Sequence, residues 1–172
     1  PGEAELGALS FNEDGDKILV GGQEKVVKLY DVSRIKENRG RDMSEELTLG
    51  SSAASRGDTP GMHGLKIMSI RSVPGQKQTF LSGSMDRSIL IWDARSGKAP
   101  VGWISGVELA GDSLDVSRDG VTLLAGNHRS LNPLQLFDLR MIKDADVNKG
   151  TLSGQAFQSY QWRGDLEACR RG

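Results

Sequence analysis

Apolar residues in this chain fall in short bursts closed off by Gly, Asp, Asn or Pro, and no long stretch holds a helical period. Leu6, Ala8, Leu9 and Phe11 frame one burst ahead of the turn Asn12-Glu13-Asp14-Gly15. Ile18-Leu19-Val20 and Val26-Val27-Lys28-Leu29-Tyr30 follow. A second set runs Ile67-Met68-Ser69-Ile70, Thr79-Phe80-Leu81 and Ile89-Leu90-Ile91-Trp92, and a third Leu114-Asp115-Val116, Val121-Thr122-Leu123-Leu124 and Leu134-Gln135-Leu136-Phe137. Short β-branched and aromatic runs between turn formers predict half-buried antiparallel strands and an all-β fold.

The bursts repeat. Three of them end in an aromatic residue followed by aspartate: Tyr30-Asp31, Trp92-Asp93 and Phe137-Asp138. A turn glycine precedes each aromatic, Gly15 by 15 residues and Gly75 and Gly120 by 17. The aromatics stand 62 and 45 residues apart, close in the second case to the ~40–45 residues of a propeller repeat. The middle copy is the fullest, reading Ser82-Gly83-Ser84-Met85-Asp86-Arg87-Ser88-Ile89-Leu90-Ile91-Trp92-Asp93, with His63 19 residues before Ser82. This pattern resembles a WD repeat of the β-propeller family. The resemblance implies an all-β WD-repeat β-propeller, here a partial ring of about three four-stranded antiparallel blades. Blade one is expected over about 6–50 with an inserted loop at about 33–62, blade two over 63–105, blade three over 107–162, and a tail at 163–172.

In the family, the histidine, the strand serine, the turn aspartate and the tryptophan form a buried hydrogen-bonded chain. The resemblance therefore assigns His63, Ser82, Asp86 and Trp92 to a structural network. An aspartate in a tight turn accepts backbone N–H groups, and a buried indole needs a partner for its one donor. His63, Asp86 and Ser82 also match a nucleophilic triad on paper, but a serine within a strand lacks the exposed cleft and oxyanion site that catalysis needs. No catalytic residue is assigned. The outer copies depart from the pattern: Val20, Glu24 and Tyr30 stand in the first, and Val107, Leu124 or Ala125, and Phe137 in the third.

Three blades do not close a ring that takes about four to eight. The expectation is either a piece of a longer protein or an arc completed by another chain. Within the insertion, Glu46-Leu47-Thr48-Leu49 is the expected outermost strand of blade one, and the remainder reads as a surface loop. Residues 100–104 serve the same role in blade two, and residues 155–162 predict one more strand for blade three.

The charges nearly cancel, with 22 basic and 23 acidic side chains for a net −1, so nucleic-acid binding is not implied. The local basic cluster of Arg34, Lys36, Arg39 and Arg41 is the one set of phosphate contacts on offer. A single cysteine, Cys169, leaves no internal disulfide or cysteine-based zinc site; no metal or other cofactor is expected. That usage suits an intracellular setting, cytoplasmic or cytoskeletal, and no apolar run approaches a membrane span.

The resemblance implies a non-enzymatic scaffold that joins other proteins in a multi-subunit complex. In such propellers the loops between second and third strands share a face, which nominates Gln23, Lys25, Arg87, Asn127, Arg129, Leu131 and Asn132 as partner contacts. Two alternatives are an RNA-associated assembly component using the basic loop, and a cytoskeletal or ciliary structural component.

Overall fold

The computed structural model describes residues 5–37, 45–50, 62–128, 132–143 and 158–160. Among the described residues, twelve strands form three four-stranded sheets, each antiparallel and each in simple chain order. The first sheet is β1 (Leu6–Phe11), β2 (Lys17–Gly22), β3 (Val27–Asp31) and β4 (Leu47–Leu49). The second is β5 (Ile67–Val73), β6 (Gln76–Ser84), β7 (Ser88–Asp93) and β8 (Gly102–Ser105). The third is β9 (Leu114–Val116), β10 (Thr122–Gly126), β11 (Leu134–Asp138) and β12 (Gln158–Tyr160). β1 lies against β5, and β5 against β9. The sheets thus fan out from their first strands as successive blades of a partial β-propeller.

Side chains on alternate strand positions point to opposite faces, so each blade has a leading face toward the preceding blade and a trailing face toward the next. Blade one's trailing face carries Leu19, Val27, Leu29 and Leu49, which pack on Ile67, Ile70, Phe80, Leu90 and Trp92 of blade two's leading face. Leu81, Ile89 and Ile91 on blade two's trailing face then meet Leu114, Leu123, Ala125 and Phe137 of blade three. Each fully buried aliphatic side chain contributes about 1.5–3 kcal/mol, so these two interfaces hold the sheets together.

Close approach at each interface depends on a glycine in the second strand. A Cβ on Gly21 would stand 2.9 Å from Cδ1 of Ile70, and one on Gly83 only 2.0 Å from Cδ1 of Leu109. Polar ties reinforce the stacking. Ser69 and Arg71 of blade two donate to Asp112 ahead of blade three, at 2.6 and 2.7 Å. Burial raises the Asp112 pKa, but these two donors outweigh it and hold the carboxyl below its ordinary range.

The turns between first and second strands line one end of the stack. Glu13 accepts the Gly75 N–H at 2.6 Å, Lys77 pairs with Asp14 at 2.9 Å, and Gly120 abuts the Pro74 carbonyl. The opposite end gathers the turns between second and third strands. Glu5, which accepts the Gln23 N–H, is bridged to Lys66, whose carbonyl accepts the Met85 N–H, while Gly106 donates to Arg87 and His128 to Glu108.

Two features depart from the sequence expectations. The start of the segment read as loop is a short helix, α1 (Val32–Glu37), because Asp31 caps it: its carboxylate accepts the Ser33 N–H at 2.7 Å and the Arg34 N–H at 3.4 Å. Asp138 does the same for α2 (Arg140–Lys143), accepting the Arg140 N–H at 2.9 Å. The Arg140 side chain and backbone hydrogen bonds hold the Asp138 carboxyl at about 2. Second, alternation predicts a half-buried β1, yet Leu6 and Leu9 are each 65% exposed and Phe11 is 58% exposed. They sit on or at the end of blade one's leading face, against which no described residue packs as a further blade.

Gly15 and Gly120 share one backbone conformation, φ 71° and 69°, in equivalent turns. A Cβ would meet nothing at Gly15 but would stand 2.2 Å from the Pro74 oxygen at Gly120. Gly15→Ala should therefore cost only the left-handed penalty of about 1–2 kcal/mol, and Gly120→Ala about 1–3 kcal/mol more. Urea midpoints of the two variants measure the difference; equal midpoints would refute the contact.

Candidate functional site

The most ordered polar constellation lies inside blade two. His63 sits on the approach to β5, Ser82 on β6, Trp92 on β7, and Asp86 in the turn that joins those two strands. Antiparallel register puts Ser82 opposite Leu90 and Phe80 opposite Trp92, so the serine and the indole occupy the same leading face two residues apart. The structure brings all four side chains together. Trp92 Nε1 donates to Ser82 Oγ at 2.8 Å, Ser82 Oγ lies 2.7 Å from His63 Nε2, and His63 Nδ1 lies 3.1 Å from Asp86 Oδ2.

The proton directions follow from the chemistry of the ends. An indole can only donate and a carboxylate can only accept. The Ser82 O–H therefore donates a hydrogen bond to His63 Nε2, and His63 Nδ1–H donates to Asp86. Asp86 also accepts the Gly64 N–H at 2.7 Å and the Ser88 N–H at 2.9 Å, along with the Ser88 hydroxyl. Burial pushes this carboxyl's pKa upward. The hydrogen bonds from His63, Ser88 and Gly64 and the attraction of the His63 ring overcome that effect and hold it at about 2. Trp92 closes the other end by reaching across the interface, where a Cβ on Gly50 would stand 3.5 Å from its Cη2.

Nucleophilic chemistry does not fit this arrangement. Ser82 is 0% exposed, and its oxygen already holds the Trp92 N–H and the His63 ring. An acyl substrate has no path to that oxygen. No group of three or more His, Cys, Asp or Glu side chains among the described residues has the spacing to hold a metal ion.

The outer blades replace the chain with other contacts. Register aligns Ser82 with Val20 in blade one and, of the two sequence alternatives, with Ala125 in blade three, since Ala125 faces blade two while Leu124 faces away. Glu24 occupies the Asp86 position and forms an ion pair with Lys28 at 2.6 Å. Val107, where the histidine would fall, is buried in the apolar interface.

The turn-bearing end holds most of the expected partner contacts. Gln23, Arg87 and Asn132 are exposed and Lys25 is half-buried. Lys25, Arg87 and Asn132 all take positive φ, at 64°, 69° and 55°. Asn127 differs: it is nearly buried, its side-chain oxygen accepts the Glu108 N–H at 3.2 Å, and its amide donates to Gln135 at 3.3 Å. It braces the loop from inside and leaves the set of surface contacts. Arg129 and Leu131 lie outside the described residues. Of the expected phosphate contacts, Arg34 is exposed on α1, only the backbone of Lys36 is described, and Arg39 and Arg41 lie outside the described residues. Ser88 and Gly64 were missed as partners of Asp86, although the Asp86-Arg87-Ser88 spacing, an aspartate two residues before a serine in a turn, signals the first of them. No described helix is long and apolar enough to cross a membrane.

Comparison with known proteins places this geometry. The family profile described as "WD domain, G-beta repeat" matches residues 61–93. Mitochondrial division protein 1 of Saccharomyces cerevisiae is 23% identical over 144 residues, covering 78% of this chain and 19% of that protein. THO complex subunit 3 of Arabidopsis thaliana is 25% identical over 138 residues, 79% of this chain and 37% of that subunit. Among solved structures, a chain of the mitotic checkpoint complex superimposes with a TM-score of 0.59 at 19% identity, over 81% of this chain and 36% of that one. A chain of a humanized mutant of the Chaetomium thermophilum Polycomb Repressive Complex 2 gives 0.59 at 20% identity, over 80% and 27%. The chain thus spans well under half the length of these relatives.

Two outcomes test the buried chain. Ser82→Ala leaves both the Trp92 N–H and His63 Nε2 without a partner, at about 1–3 kcal/mol each, and Trp92→Ala should cost about 3–5 kcal/mol; denaturant titration reads both, and an unchanged Ser82→Ala midpoint would contradict the network. The pH dependence has a definite sign. Asp86 is held at about 2 against an ordinary 3.8, so the unfolded chain takes up this proton more readily than the folded one. Its stabilisation is complete above the ordinary value and disappears as pH falls toward 2. Asp86→Asn should flatten the fall in urea midpoint across that window, while the half-buried Asp138, also held at about 2, keeps a residual slope.

Proposed function

Residues 61–93 of this chain are a WD repeat within a partial β-propeller, and on that premise we propose that the protein is a non-enzymatic scaffold for protein partners in a multi-subunit complex. The observation that carries this reading is the recurrence of one device in all three blades. Each turn between second and third strands contains a non-glycine residue with positive φ (Lys25, Arg87 and Asn132). Such a conformation costs a side-chain-bearing residue free energy. Its repetition at one end of the stack fits a surface presented to a partner.

The buried chain of blade two supports that role indirectly, since a rigid sheet holds the turns at fixed spacing. Three of the four similar proteins come from named assemblies: the THO complex, the mitotic checkpoint complex and Polycomb Repressive Complex 2. The contact surface is polar and of mixed charge, with Glu5, Glu24 and Lys66 beside the three turn residues. Salt-resistant binding to folded protein is accordingly favoured over binding to RNA.

Glycine substitution makes the test clean, because it removes these side chains while relieving the backbone. The triple variant Lys25→Gly, Arg87→Gly, Asn132→Gly should keep the fold within about 1 kcal/mol and lose the partners that co-purify in stoichiometric amount with the unmodified chain. Partners retained in full by the variant, or released by nuclease and salt alone, would overturn the proposal.

A further inference from the structure

The turns of blades one and two carry two cations that no described residue neutralises. Lys25 and Arg87 hold the same turn position: each backbone N–H is bonded to the carbonyl three residues back, Gly22 or Ser84, and each takes positive φ. Arg87 is exposed and Lys25 half-buried, and among the described residues neither side chain makes an ion pair or a hydrogen bond. The carboxylates around them are already engaged. Glu24 pairs with Lys28 at 2.6 Å and Glu5 with Lys66 at 2.7 Å. The Asp86 side chain is only 6% exposed and is held by His63, Gly64 and Ser88. The charges of the whole chain nearly cancel, yet the charge these two turns offer to a partner is positive.

Two apolar side chains stand near Arg87. Met85 opens the blade-two turn and is 48% exposed, and Leu65, on the approach to β5, is 38% exposed. Their backbones are tied together. The Met85 N–H donates to the Lys66 carbonyl at 3.3 Å and the Ser84 hydroxyl to the Leu65 carbonyl at 3.0 Å, so both residues share one small area with Arg87. In blade one the residue matching Met85 is Gln23. The turn itself therefore does not require an apolar residue at that position.

Building on the scaffold role proposed above, we infer that these turns receive an acidic segment of a partner protein. One large apolar side chain of that segment seats on Met85 and Leu65, and flanking carboxylates meet Arg87 and Lys25. A guanidinium matches a carboxylate with two parallel N–H donors, and the apolar contact persists in salt that screens exposed charges. RNA fits less well, because neither turn contains an aromatic residue on which a base could stack. A blade stacked beside blade one or blade three would lengthen this end of the stack without covering these turns.

Peptide selection from a random phage-displayed library, with the 172-residue chain immobilised, tests the inference. Enriched peptides should carry Asp or Glu on either side of Leu, Ile, Met or Phe, and their synthetic forms should bind in fluorescence anisotropy. Arg87→Glu and Lys25→Glu should each weaken that binding about tenfold or more, and Met85→Ser about fivefold, with unchanged circular dichroism. Should charge reversal disturb the turn, Arg87→Gln removes the charge alone and should also weaken binding. Enriched peptides without carboxylates, no enrichment, or binding indifferent to both Arg87 variants would each overturn the inference. So would single-stranded oligouridine RNA that displaces the peptides and binds more tightly than they do. The first three outcomes leave the scaffold role standing, since that role fails only if the triple glycine variant keeps its partners or if nuclease and salt alone release them.

Discussion

A sheet that is apolar on both faces cannot cover itself, and that constraint organises this protein. Strand side chains alternate, so Leu19 and Val20, or Ile89 and Leu90, necessarily look in opposite directions. Blade two resolves the demand by being stacked on both sides, Trp92 and Leu90 toward blade one and Ile91 and Ile89 toward blade three. Among the described residues, blades one and three each have one face met by a neighbouring blade. Small residues decide how near the sheets come, because Gly21 and Gly83 admit side chains that any Cβ would repel.

Within that apolar stack the four polar side chains of blade two are affordable only because every one is partnered. Among the described residues no buried side-chain nitrogen or oxygen lacks a hydrogen bond. The chain runs from the interface with blade one, where Trp92 lies, to the turn that carries Asp86. It thereby couples sheet packing to turn geometry. Asp86, fixed by His63, Gly64 and Ser88, sets the conformation in which Arg87 projects with positive φ. In blades one and three, Lys25 and Asn132 take positive φ without a histidine in the network.

Much of this was legible in the residues themselves. Alternation located the strands, including the short Leu47–Leu49 and the strand at Gln158–Tyr160 that completes the third sheet. The spacing of His63, Ser82, Asp86 and Trp92 pointed to one site because a resembling repeat ties those positions together. A loop asparagine such as Asn127 looks alike in sequence whether it faces solvent or braces Glu108 and Gln135. The start of α1 was read as loop because one helical turn is too short to display a period, and its signal, the Asp31 cap, also serves as an ordinary strand-ending aspartate.

Local chemistry, then, determined strand positions, turn types and the polar quartet, since each depends on residues close in sequence or on two-residue alternation. Which face of a strand is covered depends on a neighbouring sheet, and only the tertiary structure decided that. Leu19 and Leu124 are the same residue type in the same register, yet one is buried and the other half-exposed. The difference lies in what stacks against them, a property that no residue carries by itself.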